Sequence, residues 1–164
     1  MTSSTAQHSN RLLLRLANLD DAGVLLEWRN NSSTREASHN TASINEYEHI
    51  QWLRKILANV NRKLYVAEID GTPVGTVRVD SDALESELSW TVSPAMRGSG
   101  VGKEMVSMLV GCMPEAIRAE IKTGNGASVR IAEEAGMAFE CEVEGILNYR
   151  RAAVAKPINP KSAP

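Results

Sequence analysis

One segment constrains this chain more than any other. An extended run, Glu87 to Val92, stops at Ser93-Pro94, passes through a glycine-rich turn from Arg97 to Gly102, and enters an apolar-periodic helix ending near Cys112. Val101, Met105, Met108, Leu109 and Cys112 recur at helical spacing on one side of that helix, and Met113-Pro114 ends it. The first turn of a helix carries unpaired backbone N–H groups and the positive end of the peptide dipole. Glycines let that backbone approach an anion closely. Four of the five residues from Gly98 to Gly102 are small, more than a plain turn requires. Two commoner glycine motifs do not fit. A dinucleotide fingerprint beginning at Gly98 needs glycine at 103, where Lys103 stands. A phosphate loop ending at Gly102-Lys103 needs glycine at 97 and Ser or Thr at 104, where Arg97 and Glu104 stand.

The flanking segments point to a mixed sheet. Arg11 to Ala17 reads as a first strand, and Asp20-Asp21 open a helix to about Arg29 with Val24, Leu25 and Trp28 at helical spacing. Asn30 to Ala42, rich in Ser, Thr and Asn, reads as a loop. Ser43 with Glu46 forms a capping box opening a helix whose apolar face is Ile50, Leu53, Ile56, Leu57 and Val60. Leu64–Ile69 and Val74–Asp80 read as a hairpin through Asp70-Gly71-Thr72-Pro73. After the glycine helix come a strand over Ala116–Lys122, a turn at Gly124-Asn125-Gly126, a short helix over Ala127–Ala135 closed by Gly136, and strands over Met137–Val143 and Ile146–Ala152. Three consecutive strands exclude a strictly alternating doubly wound fold. They predict a mixed α/β sheet with helices on both faces.

The string Val92-x-Pro94-x-x-Arg97-Gly98-x-Gly100-x-Gly102-Lys103 opening a helix resembles the acetyl-CoA pyrophosphate loop of GNAT acetyltransferases. Asn125-x-x-Ser128, with Gly136-Met137 eight residues after the serine, is similar to a second element of that family, near the coenzyme's pantetheine arm. The resemblance spans roughly Leu12 to Arg150. It implies a central mixed, mostly antiparallel sheet of about six or seven strands flanked by about four helices. It further implies acetyl-CoA as a substrate, with no metal, and transfer of its acetyl group to a primary amine by direct attack on the thioester. The backbone amides from Gly98 through Ser99, Gly100, Val101 and Gly102 to Lys103, with Arg97 beside them, would hold pyrophosphate. Trp90, Thr91 and Val92 would run along pantetheine, with the Val92 N–H polarising the thioester carbonyl. Asn125 and Ser128 would line the far side. For Asn125 the alternative is a plain helix N-cap.

A general base must take a proton from the attacking amine. By the same resemblance Glu120, five residues before Asn125, and Glu87, on the preceding strand, stand where family members keep such a glutamate. Each reads equally well as a surface carboxylate. The family's tyrosine, seven residues after the asparagine, is replaced by Ala132. Tyr149 or water is left as the acid, and a thiolate also leaves without help. On the acceptor side, Trp28-Arg29-Asn30, Arg35, Ser38 and His49-x-x-Trp52 resemble members acting on nucleotide-linked amino sugars. Arginines and Asn30 suit phosphate and sugar hydroxyls, and Trp suits a base or sugar face. The alternative makes Trp28 and Trp52 core anchors and His49 a satisfied histidine.

Composition narrows the rest. Hydrophobic residues make up 43% and charged residues 23%, a globular balance. A net charge of −2 argues against nucleic acid as the partner. Cys112 and Cys141 lie in no C-x-x-C pair and read as half-buried thiols of a reducing compartment. His8, His39 and His49 have no metal-ligand spacing. The polar first ten residues lack an apolar leader core, and the chain is expected to be cytoplasmic, without membrane contact. The expected organisation is a tail over residues 1–10, one acetyltransferase domain over 11–153, and a disordered tail over 154–164, with a homodimer as the expected assembly. Two rivals stay open: a protein N-terminal or other small-amine acetyltransferase, and a silent acyl-CoA-binding regulatory module, which the Ala132 departure favours.

Overall fold

The computed structural model describes residues 11–154; the expected tail at 1–10, and all but Val154 of that at 154–164, lie outside them. A seven-stranded sheet runs in the order β1-β2-β3-β4-β5-β7-β6. Its strands are β1 (Leu12–Leu16), β2 (Arg62–Ile69), β3 (Thr72–Ser81), β4 (Glu85–Val92), β5 (Ala116–Lys122), β6 (Ala138–Val143) and β7 (Ile146–Arg151). Every neighbouring pair is antiparallel except β4 with β5. Helices α1 (Ala22–Asn30), α2 (Ser32–Ala37) and α3 (Glu46–Ala58) precede β2. Helix α4 (Val101–Val110) joins β4 to β5, and α5 (Gly126–Glu134) joins β5 to β6. The mixed, mostly antiparallel sheet expected from the sequence is the one observed.

Strand alternation sends side chains to two separate cores. On one face, Val77, Val79, Leu88, Ile117, Ala119 and Ile121 pack against Val101, Met105, Val106 and Leu109 of α4 and Ile131 and Ala132 of α5. On the other, Leu64 and Val66 of β2 pack against Leu25 and Trp28 of α1 and Leu53 and Ile56 of α3. Leu53 and Ile56 are fully buried, each worth about 2 kcal/mol of transfer free energy. Two glycines mark close approaches. A Cβ at Gly102 would lie 2.6 Å from Ile131 Cδ1 and 2.9 Å from Val92 Cγ2. One at Gly75 would lie 2.7 Å from Met105 Sδ. Gly102 thus presses α4 onto β4 and α5, a packing role rather than a ligand-facing one.

Four expectations are corrected. The segment expected as a loop from Asn30 to Ala42 contains α2. Its one buried side chain is Thr34, and Ser38 Oγ donates to the Thr34 carbonyl at 2.7 Å. Asn45, not Ser43, caps α3, its side chain accepting from Glu48 N–H at 2.9 Å. The α3 face is accordingly His49, Leu53 and Ile56, while Leu57 and Val60 are exposed. Cys112 and Cys141 are both exposed, since α4 ends at Val110 and every residue of β6 is exposed.

Candidate active site

The site begins where the parallel pair fails. β4 and β5 are in register only from Glu85–Glu87 to Ala116–Arg118, and beyond that the strands part. β4 continues to Val92 against β3, and β5 continues to Lys122 against β7. A wedge therefore opens between the strands. Ser93 N–H donates to the Val74 carbonyl at 2.9 Å, and Asp82 N–H to the Glu85 carbonyl at 3.0 Å. In an antiparallel ladder these bonds alternate along the strand. The odd-numbered residues of β4 therefore bond to β3, and Trp90 and Val92 turn their N–H and C=O groups into the wedge. Thr91 does not: its backbone pairs with Thr76, and its side chain shares the opposite sheet face with Glu87 and Ser89.

Above the wedge sits the glycine turn. Gly98 and Gly100 have φ of 74° and 90°, a region that disfavours other residues. A Cβ at either would point into open space. Gly100 caps α4 without a side-chain hydrogen bond. Glu104 N–H reaches the Gly100 carbonyl at 3.1 Å, which leaves the amides of Val101, Gly102 and Lys103 ahead of the helical ladder. Ser99 Oγ donates back to the Met96 carbonyl at 2.5 Å. Lys103 lies 3.7 Å from Glu134, both exposed. Arg97 points away from this cradle. Its guanidinium donates to Thr34 Oγ1 at 2.7 Å and Asn31 Oδ1 at 3.2 Å, fastening the turn to α2. On the far side, Asn125 caps α5, its Oδ1 accepting from Ser128 N–H at 3.1 Å. The half-buried Trp90 leaves its Nε1 buried without a hydrogen-bond partner.

The proposed proton-transfer residues lie on opposite faces of the sheet. Glu87 and Glu120 flank the wedge on the α1–α3 side. Arg118 binds Glu87, sits 3.2 Å from Glu120 and 3.3 Å from Glu85. Neither glutamate is thus a lone carboxylate. Glu120 also lies 3.6 Å from His39 Nε2. Tyr149 is buried on the α4–α5 side in the cluster that holds Ala132, edge-on to Phe139. Burial first, and then the nearby Glu133 carboxylate, raise its hydroxyl above the usual phenol range, so it keeps its proton.

The acceptor candidates divide. Trp28 is buried among Leu25, Leu53 and Ile56 and serves as a core anchor. Trp52 is partly exposed and stacks on His49 with ring centroids 5.5 Å apart. Asn30 bridges to Ile44, donating to its carbonyl at 2.8 Å and accepting from its N–H at 2.9 Å. Arg29 donates to the Asn40 carbonyl at 2.7 Å, but its Nη1 is buried without a partner, as are Arg35 Nε and His49 Nε2. Desolvation and the neighbouring Arg35 charge lower the Arg29 pKa. Desolvation, with a smaller contribution from Arg29, lowers that of His49. Two unsatisfied donors, Arg29 Nη1 and Arg35 Nε, in one positive neighbourhood are costly unless an anion completes them, whereas the neutral His49 donates to the Ala22 carbonyl and leaves Nε2 as an acceptor.

Residues 11–138 match the family model described as acetyltransferase (GNAT) domain. The chain belongs to the GNAT acetyltransferase family. Solved structures of similar fold include AAC(6')-Ib, an aminoglycoside acetyltransferase bound to acetyl-CoA, with 22% identity and a TM-score of 0.74 over 87% of this chain and 93% of that one. RimL, a ribosomal alpha-N-protein acetyltransferase in complex with coenzyme A, gives 13% identity and a TM-score of 0.77 over 90% of this chain and 97% of its own. A ribosomal-protein-alanine N-acetyltransferase from Brucella melitensis gives 22% and 0.70 over 85% and 99%. At such identities the likeness establishes the fold alone. No match was found among curated proteins. Among the described residues of this GNAT chain, no helix is long and apolar enough to cross a membrane.

Proposed function

We propose that this acyltransferase takes the acetyl group of acetyl-CoA and places it on a primary amine, within a single catalytic domain spanning 11–153. The observation that carries the reading is the wedge beneath an uncapped glycine turn. The two elements together present a strand edge and a set of helix-terminal amides along one path. In the proposed complex, the amides from Gly98 to Lys103 hold the pyrophosphate. Val92 N–H and Trp90 C=O offer pantetheine a strand to pair with. Trp90 Nε1, otherwise unsatisfied, is a further donor. Asn125 and Ser128 close the opposite wall. Acetyl-CoA supplies the activated acyl group; Val92 N–H, aimed into the wedge, stabilises oxyanion charge. Tyr149 is the protein hydroxyl we place as proton donor to the departing thiolate.

For the acceptor we propose a nucleotide-linked amino sugar. Arg29 Nη1 and Arg35 Nε, donors buried without partners, suit a phosphate or other anionic group. That arrangement favours it over polycationic amines. The carboxylates facing the wedge, Glu85, Glu87 and Glu120, are matched by Arg118, with Arg150 2.9 Å from Glu85, so the face is not an acidic cleft. The test is acetyl transfer to UDP-glucosamine, kanamycin and an alanyl peptide, followed as thiol release. The reading expects UDP-glucosamine to be acetylated with the lowest KM. Faster turnover of kanamycin or the peptide would replace the acceptor, and turnover of none would remove the transferase reading.

A further inference from the structure

Helix α2 is short and polar, yet it is fastened at both ends to the coenzyme side of the molecule. At its start, Arg97 of the glycine turn reaches Asn31 and Thr34. At its end, Lys122 of β5 donates to the Glu36 carbonyl at 3.1 Å. The residues that follow are held as well. Ser38 Oγ bonds to the Thr34 carbonyl at 2.7 Å, and Arg29 grips the Asn40 carbonyl at 2.7 Å. His39 lies between these two anchors. Its Nε2 is 3.6 Å from Glu120 Oε2, at the mouth of the wedge, two residues past the last β4–β5 pair. Its side chain is 61% exposed, so it exchanges protons with water.

We infer that His39 is the group that takes the proton from the acceptor amine, with Glu120 as its positioning partner. The inference rests on the acetyl-transfer reading above. Glu120 is poorly suited to act alone, because Arg118 already binds it. Imidazole is the side chain that most often serves as a general base. A carboxylate beside Nε2 favours the tautomer protonated there and leaves Nδ1 as the acceptor. The step balances. His39 takes one proton from the substrate ammonium. The free amine attacks the thioester carbonyl carbon, a C–N bond forms, and the C–S bond breaks. Tyr149 gives its proton to the thiolate and is restored by the second proton lost by nitrogen, and the one on His39 returns to solvent. The charged group that faces His39 is Glu120; behind it Arg118 pairs with both Glu120 and Glu87, Lys122 is held on the Glu36 carbonyl, and Arg29 is held on the Asn40 carbonyl next to His39 in the chain.

The experiment measures kcat/KM against pH for wild type, His39→Ala and His39→Gln. It uses acetyl-CoA with whichever of UDP-glucosamine, kanamycin and alanyl peptide the wild type acetylates fastest. General-base removal costs on the order of 100-fold, and both variants are expected to lose about that much while binding acetyl-CoA as tightly as wild type. The acidic limb of the profile should flatten, and added imidazole should restore part of the rate to His39→Ala. A purely structural histidine would show neither rescue nor an altered profile. Unchanged turnover in both variants, or a loss with an unaltered profile and no rescue, overturns the proposal while leaving the transferase reading intact. A wild type that acetylates none of the three amines overturns both.

Discussion

The two faces of the sheet are built on different principles. On the α4–α5 face, Gly98, Gly100 and Gly102 each do a job only glycine does there, through positive φ or close packing. The result is an opening made of backbone. On the α1–α3 face the features are side chains: Arg29 on α1, Arg35 on α2, His39 just past α2 and His49 on α3. Backbone sites tolerate drift in the surrounding sequence, and side-chain sites do not. In the proposed reading the first face would carry the family's common chemistry and the second what is particular to this chain.

The largest effect is expected at Trp28. Trp28→Ala removes a buried ring from the core under α1 and α3, and we expect a loss of about 3–5 kcal/mol, read by urea denaturation. Because that core is separate from the α4–α5 core, partial unfolding should reach the acceptor face first, and amide exchange in α4 should stay protected until global unfolding. Arg35→Ala is the next largest. Loss of a charge-assisted contact costs about 1.5–3 kcal/mol, so the KM for an anionic acceptor should rise roughly 10- to 100-fold, with acetyl-CoA affinity unmoved. A fall in acetyl-CoA affinity instead would merge the two faces into one site. Asn125→Ala removes the α5 cap and should cost about 1 kcal/mol, visible as a small drop in Tm. His49 gives the smallest effect. Its folded-state pKa is depressed, so the unfolded chain binds the proton more readily. Stability is therefore intact above the usual imidazole value and declines as pH falls below it. His49→Gln should flatten that decline in a plot of Tm against pH.

The sequence was most readable where local chemistry decides structure. The turn from Arg97 to Gly102 could be read because its spacing matches few alternatives and its glycines need φ values others avoid. The strands over Met137–Val143 and Ile146–Ala152 leave Glu144-Gly145 between them, and Gly145 marks that turn; the positive φ of Glu144 carries no such signal. Helix α2 was not. Ser32 to Ala37 has no apolar stripe, and its helix depends on Arg97, far away in sequence. By its spacing Arg97 belongs to the phosphate cradle; only the tertiary fold turns it to Asn31 and Thr34. Trp28 matched two readings, and burial selected the core one. His39 lay in what read as a loop and carried no spacing signal, because its partner Glu120 is brought to it by the sheet. One signal was available: Ser38-His39-Asn40 follows the only arginine between Asn30 and Ala42, but without α2 it pointed nowhere.

In the proposed complex acetyl-CoA lies along the wedge with its pyrophosphate on the glycine turn. Calorimetric titration of acetyl-CoA into wild type and Ser99→Glu tests this most directly. Ser99 is exposed and its φ is not positive, so glutamate fits the backbone there; the substitution gives up the Oγ bond to the Met96 carbonyl and adds a charge. We expect tight binding by wild type and at least a roughly 100-fold loss in Ser99→Glu, which sets a carboxylate against the phosphates at about 3 kcal/mol. Equal affinity in both proteins, at unchanged Tm, would contradict it.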